Sequence, residues 1–384
     1  MKEKTVKSIT VCIIMMAIFS TLSSFNAYAF DYDNDEYGSM LSGYDTSFVE
    51  ELDDESREVL DALGLLDFDY SKIINLSMSD LINIFKDLFI QKLQNPLKSV
   101  ALVFIILCLS SFFQGIKEAS QEGEMASLFS SVSAIVIALI LLAEIKETIA
   151  VSAASISVCA DFIFAFVPAF LIIVAASGNT LAAVTSNGML LALGQAVNYI
   201  SKNLFLPVSN CILALSIASG IRSDSNLYAL IQTLKKYITT AISLCATGFV
   251  SVLSIKTVVA AKADVIGIRS IRFAINSVVP VIGGAISEGL LSIQAYSSLV
   301  KSSVGIVGII AVAAIFLPSI ISVSIWRLFL SLCSAVSDVF NDGSVKCILD
   351  AFINALLIMN VLLLLTMTTT IISIGILIAA KGSA

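Results

Sequence analysis

The chain contains no histidine at any of its 384 positions. Without an imidazole it cannot carry a Ser-His or Cys-His catalytic pair, an HExxH zinc site or a histidine-ligated haem. Its seven cysteines show no CxxC spacing, and most of them lie in apolar stretches. The sequence therefore predicts no catalytic residue, no metal and no cofactor, and its cysteines are expected to be small buried hydrophobic side chains.

Charged residues are also scarce. They make up 13% of the chain, whereas hydrophobic residues make up 58% and the mean hydropathy is +0.97. A soluble domain has about 25% charged residues, so this chain lacks the polar surface that would keep its apolar side chains in water. The apolar residues form long continuous runs without the alternation typical of a membrane β-barrel. These features predict an all-α fold, a polytopic transmembrane helix bundle in a lipid bilayer.

The first 29 residues have the pattern of a secretory signal peptide. Three lysines precede the apolar run from Ile9 to Phe19, and Ala27 and Ala29 are the small residues expected before a cleavage site. We expect residues 1–29 to be removed after export. The alternative is that they remain as a first membrane anchor. In either case the segment that follows lies outside the cytoplasm.

Residues 30–95 are strongly acidic, with 16 Asp and Glu against 4 Lys and Arg. This balance argues against binding to nucleic acid or to anionic lipid headgroups, and it is typical of either a solvated linker or a docking surface for a basic partner. Two short amphipathic helices are predicted here, one over about Phe48–Leu66 and one that opens with a capping pattern at Ser77. Each is expected to lie on the membrane surface or against a partner, and Pro96 is expected to break the chain before the first span.

Residues 96–384 form the predicted multi-span membrane domain, because a membrane-crossing helix needs about 20 apolar residues. The Leu181–Ile200 and Ile275–Ile293 segments are short and hold glycine and polar residues such as Gln195, so they are either spans buried within the bundle or re-entrant segments. Trp326 ends an apolar run and is expected to be an anchor at the membrane interface. The candidate spans are Leu97–Ile116, Ala126–Ile145, Ala150–Ala176, Leu181–Ile200, Leu204–Gly220, Tyr237–Ala260, Ile275–Ile293, Val304–Leu330 and Ile348–Ala380.

The prolines suggest an internal duplication. Pro168 and Pro280 follow similar apolar residues at a shift of 112, and Pro207 and Pro318 do so at a shift of 111, which pairs four of the five prolines. Two repeats of about 150–260 and 262–372 would place matching Gly- or Pro-interrupted segments at their interface, as in many transporters. The alternative is that each proline only kinks its own helix.

The candidate functional residues lie close to the first of these proline pairs. Asp161 precedes Pro168 and Glu288 follows Pro280, each in an apolar run where a charge costs about 2.5–3.5 kcal/mol at mid-bilayer. They predict a polar pathway at the repeat interface, or alternatively carboxyl groups that fix helix packing. Gly283, Gly284 and Ser287 predict either a helix break or a close helix contact.

These features together resemble a known family. The signal peptide, the acidic exported segment, Asn95-Pro96-Leu97 at the start of the bundle and the string from Pro280 to Glu288 are similar to the stage III sporulation protein AE family. The resemblance covers essentially the whole chain. No catalytic residues are known for that family that would be carried over to positions in this chain.

The resemblance implies a specific role in endospore-forming bacteria. Members of the family are made in the mother cell and lie in the membrane that surrounds the engulfed forespore. There they belong to a multiprotein complex that joins the two cells like a channel and that late forespore development requires. The expected partners are other membrane proteins of that complex. The residues alone leave two alternatives open, a stand-alone secondary transporter and a membrane scaffold that does not conduct.

Overall fold

A computed structural model describes residues 52, 54–63, 78–120, 123–176, 192–222, 229–252, 283–340 and 342–379. All of them belong to one compact unit, Ser42–Ala384. The predicted signal peptide lies outside the described residues. The two predicted repeats are described only in part, and the duplication stays a prediction.

Every regular element in the described ranges is a helix, as the all-α prediction requires. The helices are α1 (Asp54–Ala62), α2 (Met78–Ser120), α3 (Gly123–Ala176), α4 (192–222), α5 (229–252), α6 (Gly283–Val339) and α7 (Gly343–Ala379). Within α4 the α-helical stretches are joined by a π-helical turn over Ser201–Phe205. The chain is therefore a bundle of helices, several of which are far longer than those of a soluble domain.

Three of these helices are long and apolar enough to cross a membrane. They are α3 between Ser130 and Val174, α6 between Val300 and Val339, and α7 between Gly343 and Ile378. The bent α2 is a fourth if its two parts form one span. Lipid is the solvent that such surfaces need, so the polytopic membrane fold predicted from composition is confirmed.

Two predicted boundaries between spans are wrong. The Ala126–Ile145 and Ala150–Ala176 segments form the single helix α3 of 54 residues, and the end of Ile275–Ile293 continues into Val304–Leu330 within α6, which has 57 residues. Neither junction contains glycine or proline. A helix can continue through charged residues such as Glu144 and Glu147, because its backbone N–H and C=O groups bond to one another within the helix. At 1.5 Å per residue α3 is about 80 Å long, well beyond a hydrocarbon core of about 30 Å.

The predicted break at Pro96 is a sharp bend within one helix. Helix α2 continues through Pro96, and its parts Lys86–Leu93 and Pro96–Phe112 meet at an angle of 42°. Proline removes one backbone hydrogen bond and its ring crowds the preceding turn, which bends a helix without ending it when other contacts hold the two parts. The predicted second amphipathic helix is thus the first part of the longer helix α2.

Helix α1 packs on the bundle of its own chain. Its Val59 lies in a cluster with Leu88 of α2 and with Ala314, Ile321 and Ile325 of α6, while Asp54, Glu58 and Asp61 are exposed. The apolar face of this acidic helix is therefore covered by α2 and α6. The expected contact was with the membrane surface or with a partner, and the structure shows this face packed against the chain's own helices instead.

Helix α6 is the centre of the bundle. In its most apolar part 78% of the residues are buried against other helices, compared with 44% for α3. Trp326 is 2% exposed within α6, so its prediction as an interfacial anchor is wrong and the indole belongs to the protein core.

The contact between α3 and α6 depends on large side chains that meet glycines. Phe162, Phe166 and Phe170 lie on one face of α3, and their rings stack with centroids 5.5 and 5.0 Å apart. Opposite them on α6, a Cβ at Gly308 would come within 2.6 Å of Cζ of Phe166. A Cβ at Gly305 would come within 3.0 Å of Cζ of Phe170 and still closer to Ile378 of α7. Glycine lets the two helices approach closely, and the three rings fill the space between them.

Candidate functional site

The predicted site residues fall on two helices. Asp161 and Pro168 lie on α3, and both are exposed. Pro168 was predicted as a helix-break position, but α3 continues through it to Ala176.

The other predicted residues belong to the start of α6. Gly283, Gly284, Ser287 and Glu288 are helical, with their side chains outside the description, and Pro280 lies outside the described residues. The pathway predicted between Asp161 and Glu288 therefore stays a prediction.

Asp161 belongs to a polar area on the outside of the bundle, which we call the Asp161 patch: Ser157, Asp161 and Lys202. The Lys202 ammonium donates a hydrogen bond to Oγ of Ser157 at 2.6 Å, and Ser157 lies one helical turn before Asp161 on the same face of α3. Asp161 itself makes no hydrogen bond or ion pair with any residue that the structure describes. The patch therefore places a carboxylate and an ammonium on an outer surface of the bundle.

The Asp161 patch is costly if lipid covers it. Asp161 lies within the apolar part of α3, Ser130–Val174, about 20 Å along the helix before its end at Val174. A charged side chain at the bilayer centre costs about 2.5–3.5 kcal/mol on insertion scales. Such a group is stable only where water, a partner protein or a neutralising charge covers it, which distinguishes this face of α3 from the surrounding apolar surface.

A second polar feature is buried between α4 and α7. We call this feature the Asn198 seam. Its α4 side contains Gly194, Gln195, Asn198 and Ser201, and its α7 side is described in the next paragraph. Asn198 is 1% and Ser201 0% exposed. Asn198 belongs to the Leu181–Ile200 segment, for which the sequence left open a buried span or a re-entrant segment, and Ser201 follows directly after it. The described part from residue 192 is a helix with one buried face, which contains Asn198, and one exposed face, which contains Tyr199.

The α7 side of the seam consists of Thr366, Thr369, Thr370 and Ser373, all of them buried. Asn198 Nδ2 donates to Oγ1 of Thr370 over a long 3.5 Å, and Thr370 is also hydrogen-bonded to the thiol of Cys159 on α3. A Cβ at Gly194 would come within 3.0 Å of Oγ of Ser373. The seam therefore brings polar groups from three helices together in an otherwise apolar bundle.

The π-helical turn begins at Ser201, inside the seam. The Leu206 N–H donates to the carbonyl of Ser201, five residues back, and Pro207 follows with no N–H to donate. Widening the turn moves the proline ring away from the preceding carbonyl groups, which is a physical reason for the turn at this position. Turns of this kind inside helices are frequent at functional sites.

Several polar atoms of the seam have no hydrogen-bond partner among the residues that the structure describes. They are Oδ1 of Asn198, Oγ of Ser201 and Nε2 of Gln195. Buried polar atoms are normally paired, because an unpaired one costs about 1–3 kcal/mol. Three such atoms within two turns of one helix indicate a site with unused hydrogen-bonding capacity.

A third polar group, around Asp342, differs from the seam because both of its carboxylate oxygens accept hydrogen bonds. Asp342, 2% exposed, begins α7 and accepts hydrogen bonds from Ser110 of α2 at 2.6 Å, from Ser130 of α3 at 2.7 Å and from the backbone N–H of Val345 at 3.2 Å. Ser337 of α6 donates to the Asp342 carbonyl. This N-cap joins four helices and is a structural clasp rather than a binding site.

The seam was missed from the sequence, apart from the mention of Gln195. Its signals were present: Asn198 and Ser201 interrupt an apolar run, and α7 contains the Thr-rich stretch 366–370. What the sequence does not contain is the register that brings residues 194–201 opposite 366–373. Asp342 was missed too, although an Asp before Gly343 between two apolar runs is a recognised helix-start signal.

Comparisons with known proteins agree with the sequence resemblance. A family model described as Stage III sporulation protein AE (spore_III_AE) matches residues 65–381. A Bacillus subtilis (strain 168) protein named Stage III sporulation protein AE is 23% identical over 298 residues, which cover 77% of this chain and 74% of that protein. No solved structure matches. The family match includes every helix from α2 to α7, and hence the Asp161 patch and the Asn198 seam.

Proposed function

Because this chain belongs to the stage III sporulation protein AE family, we propose that it is the integral membrane subunit of a sporulation-specific channel complex. In this role it lies in the mother-cell membrane around the forespore, with its acidic N-terminal segment outside the cytoplasm. The complex links the two cells, and late forespore development requires it. The chain performs no catalysis in this role and contributes membrane helices.

The Asp161 patch supports the assembly part of the proposal. A carboxylate and an ammonium on the apolar outer surface of the bundle are unfavourable against lipid, and a neighbouring membrane subunit or the wall of an aqueous conduit would cover them. The observation that carries the proposal is therefore the placement of charge on an outer apolar surface of a protein of this family.

Deletion of the gene tests the sporulation role. We expect the mutant to grow normally and to complete engulfment, because the complex acts only after that stage. Heat-resistant spores should then fall by orders of magnitude. Wild-type numbers of heat-resistant spores in the deletion strain would refute the proposal.

Replacement of the charge in the Asp161 patch tests the assembly. Asp161→Asn should reduce the recovery of co-purifying membrane proteins from sporulating cells by about tenfold. An uncovered charge costs about 2.5–3.5 kcal/mol, and losing about half of that driving force for assembly corresponds to a tenfold weaker association. Glu147→Gln is the matched control, because it makes the same change at an exposed position on the same helix. Equal recovery with both variants would show that the patch does not hold a partner.

The Asn198 seam favours one alternative function, a secondary transporter that works alone. Purified chain in liposomes would then take up a solute without any other protein. Uptake that is abolished by Asp161→Asn would support the transporter. Absence of uptake for every solute tested, together with recovery of a stable complex from cells, would favour the channel subunit or a scaffold.

A further inference from the structure

We propose that the outer face of α5 is a wall of the aqueous conduit in the channel complex, in contact with water rather than with lipid. This inference rests on the proposed function, because it names the surface along which the complex would pass solutes. It is carried by the depth of α5 in the bundle, by the hydroxyl side chains on its outer face and by the lysines at one end of that face.

Helix α5 lies beside the middle of α7. Its buried Ile238 and Ile242 share a cluster with α7 residues on either side of the midpoint of the apolar part, Gly343–Ile378. Those α7 residues are Ile358 and Leu362. A bilayer that α7 crosses at its middle therefore contains α5 at the same depth.

The outer face of α5 is polar at this depth. Six exposed hydroxyl side chains each donate to the carbonyl four residues back in the same helix, at 2.7–2.9 Å. At 100° per residue they fall within about 120° of the helix circumference, opposite Ile238 and Ile242. A hydroxyl that has used its hydrogen still presents acceptor lone pairs outward. We call this surface the α5 hydroxyl face: Thr233, Thr239, Thr240, Ser243, Thr247 and Ser251.

Other outer surfaces of the bundle are of the kind that lipid covers. Helix α2 exposes Leu102 and Phe112, and α3 exposes Leu139 and Phe164. In contrast, α5 in its described part is not among the helices that are apolar enough to cross a membrane. The bundle therefore has an apolar side and a hydroxyl-bearing side at membrane depth.

The lysines are an independent observation that points to water. Lys235 Nζ donates to Oδ1 of Asn354 at 2.7 Å, and Asn354 lies about 10 Å along α7 from the midpoint of its apolar part. The hydrocarbon half-thickness of a bilayer is about 15 Å, so this ammonium is held inside it. A charge at such a depth is stable where water reaches it, and intramembrane charges generally face a water-filled cavity or the bundle interior.

The charge of this side indicates which solutes it favours. Lys236 is exposed at the centre of the α5 hydroxyl face, one residue after Lys235, and the described parts of α4 and α5 contain no Asp or Glu. A conduit wall with a positive potential and neutral acceptors raises the local concentration of anions relative to cations. Small anionic solutes are therefore the class that this wall would favour.

The test measures how fast introduced cysteines react with membrane-impermeant methanethiosulfonate reagents. It uses open membrane fragments from sporulating cells, so that the full chain stays in its complex and both membrane surfaces are accessible. Ser243→Cys and Thr247→Cys place a thiol on the α5 hydroxyl face with little change in size. The unmodified chain, labelled in parallel, gives the contribution of the native cysteines.

Val361→Cys is the matched control, because Val361 is an exposed apolar residue of α7 next to Leu362 and hence at the depth of α5. Thiols react as thiolates, which form in water and not in lipid. We expect Ser243→Cys and Thr247→Cys to react at least tenfold faster than Val361→Cys. Protection of both α5 thiols would mean that lipid or a partner helix covers the face, and equal rates at all three positions would place α5 outside the bilayer. Either result overturns the inference.

Reagents of opposite charge test the preference for anions. Thr240→Cys lies one helical turn from Lys236, so at low ionic strength Lys236→Gln should lower the ratio of the anionic to the cationic reaction rate at this thiol at least threefold. An unchanged ratio would refute the electrostatic part. Failure here is distinguishable from failure of the proposed function: a deletion strain that loses its spores while the α5 thiols are protected contradicts only the assignment of the conduit wall.

Discussion

Two helix interfaces within the bundle are filled by different kinds of side chain. Between α3 and α6, stacked phenylalanine rings fill the space that Gly305 and Gly308 leave. Between α4 and α7, buried asparagine and serine oxygens face threonines whose hydrogens are already used. The first interface is closed by shape, whereas the second keeps unused capacity for hydrogen bonding.

This difference separates structure from function within one membrane protein. Lipid tails are as apolar as leucine, so helices in a membrane gain stability from close packing and from satisfied polar contacts. The α3–α6 interface supplies the close packing, and the Asp342 clasp supplies the satisfied contacts. The seam supplies neither close packing nor fully satisfied polar contacts. We therefore propose that its polar residues serve binding rather than stability.

The largest expected effect is at Gly308. Gly308→Leu should destabilise the folded chain by about 3 kcal/mol or more, because Phe166 is fully buried and stacked between two rings and cannot move aside. Gly308→Ala should be milder, and Phe166→Leu should recover part of its loss by removing the ring. Thermal unfolding in nanodiscs, followed by circular dichroism, measures all three.

Gly248→Ala is the control for this series. No atom lies within 4 Å of the position that its Cβ would occupy, so the change should leave stability unchanged or raise it by up to about 1 kcal/mol through helix propensity. If Gly308→Ala behaves like Gly248→Ala, the α3–α6 interface is not closed by shape and the comparison fails.

Asp342 is expected to give the next largest effect. Asp342→Ala removes the N-cap of α7 and the acceptor for Ser110 and Ser130, and we expect a loss of about 2–3 kcal/mol. Asp342→Asn keeps a capping side chain and should lose less. An alanine variant as stable as the asparagine variant would show that these contacts do not hold the four helices together.

A smaller effect is expected from the hydroxyl pair between α3 and α6. Ser155 Oγ and Ser319 Oγ lie 2.7 Å apart, and interhelical hydrogen bonds in membrane proteins contribute about 0.6 kcal/mol on average. A double-mutant cycle with Ser155→Ala and Ser319→Ala should therefore give a coupling energy below about 1 kcal/mol. A coupling above about 2 kcal/mol would mean that this interface depends on polar contacts as well as on shape.

Much of the fold followed from the sequence, because apolar run length and the absence of charge have few physical solutions. The all-α membrane bundle was predicted from composition, and α7 matches its predicted span closely. The missed junctions had a local signal, since the stretches around Glu144 and between Ile293 and Val304 contain no helix breaker. Charged residues there end an apolar run without ending the helix, because a helix tolerates them.

The candidate site was less accessible to sequence reasoning. Asp161 was found because a carboxylate in an apolar run is unusual wherever the run folds. Asn198, Ser201 and Thr370 become a site only through the register of α4 on α7, a contact between residues more than 160 positions apart. Their individual side chains are common in membrane helices, and what distinguishes the seam is that several unpaired polar atoms lie within two turns of α4.

The most direct test of the central claim compares stability with sporulation in the same strains. Ser201→Ala and Asn198→Leu should keep normal membrane abundance and thermal stability while heat-resistant spores fall at least tenfold, whereas Gly308→Leu should lose protein and spores together. Wild-type spore numbers with both seam variants would contradict the claim that the α4–α7 interface is kept for function.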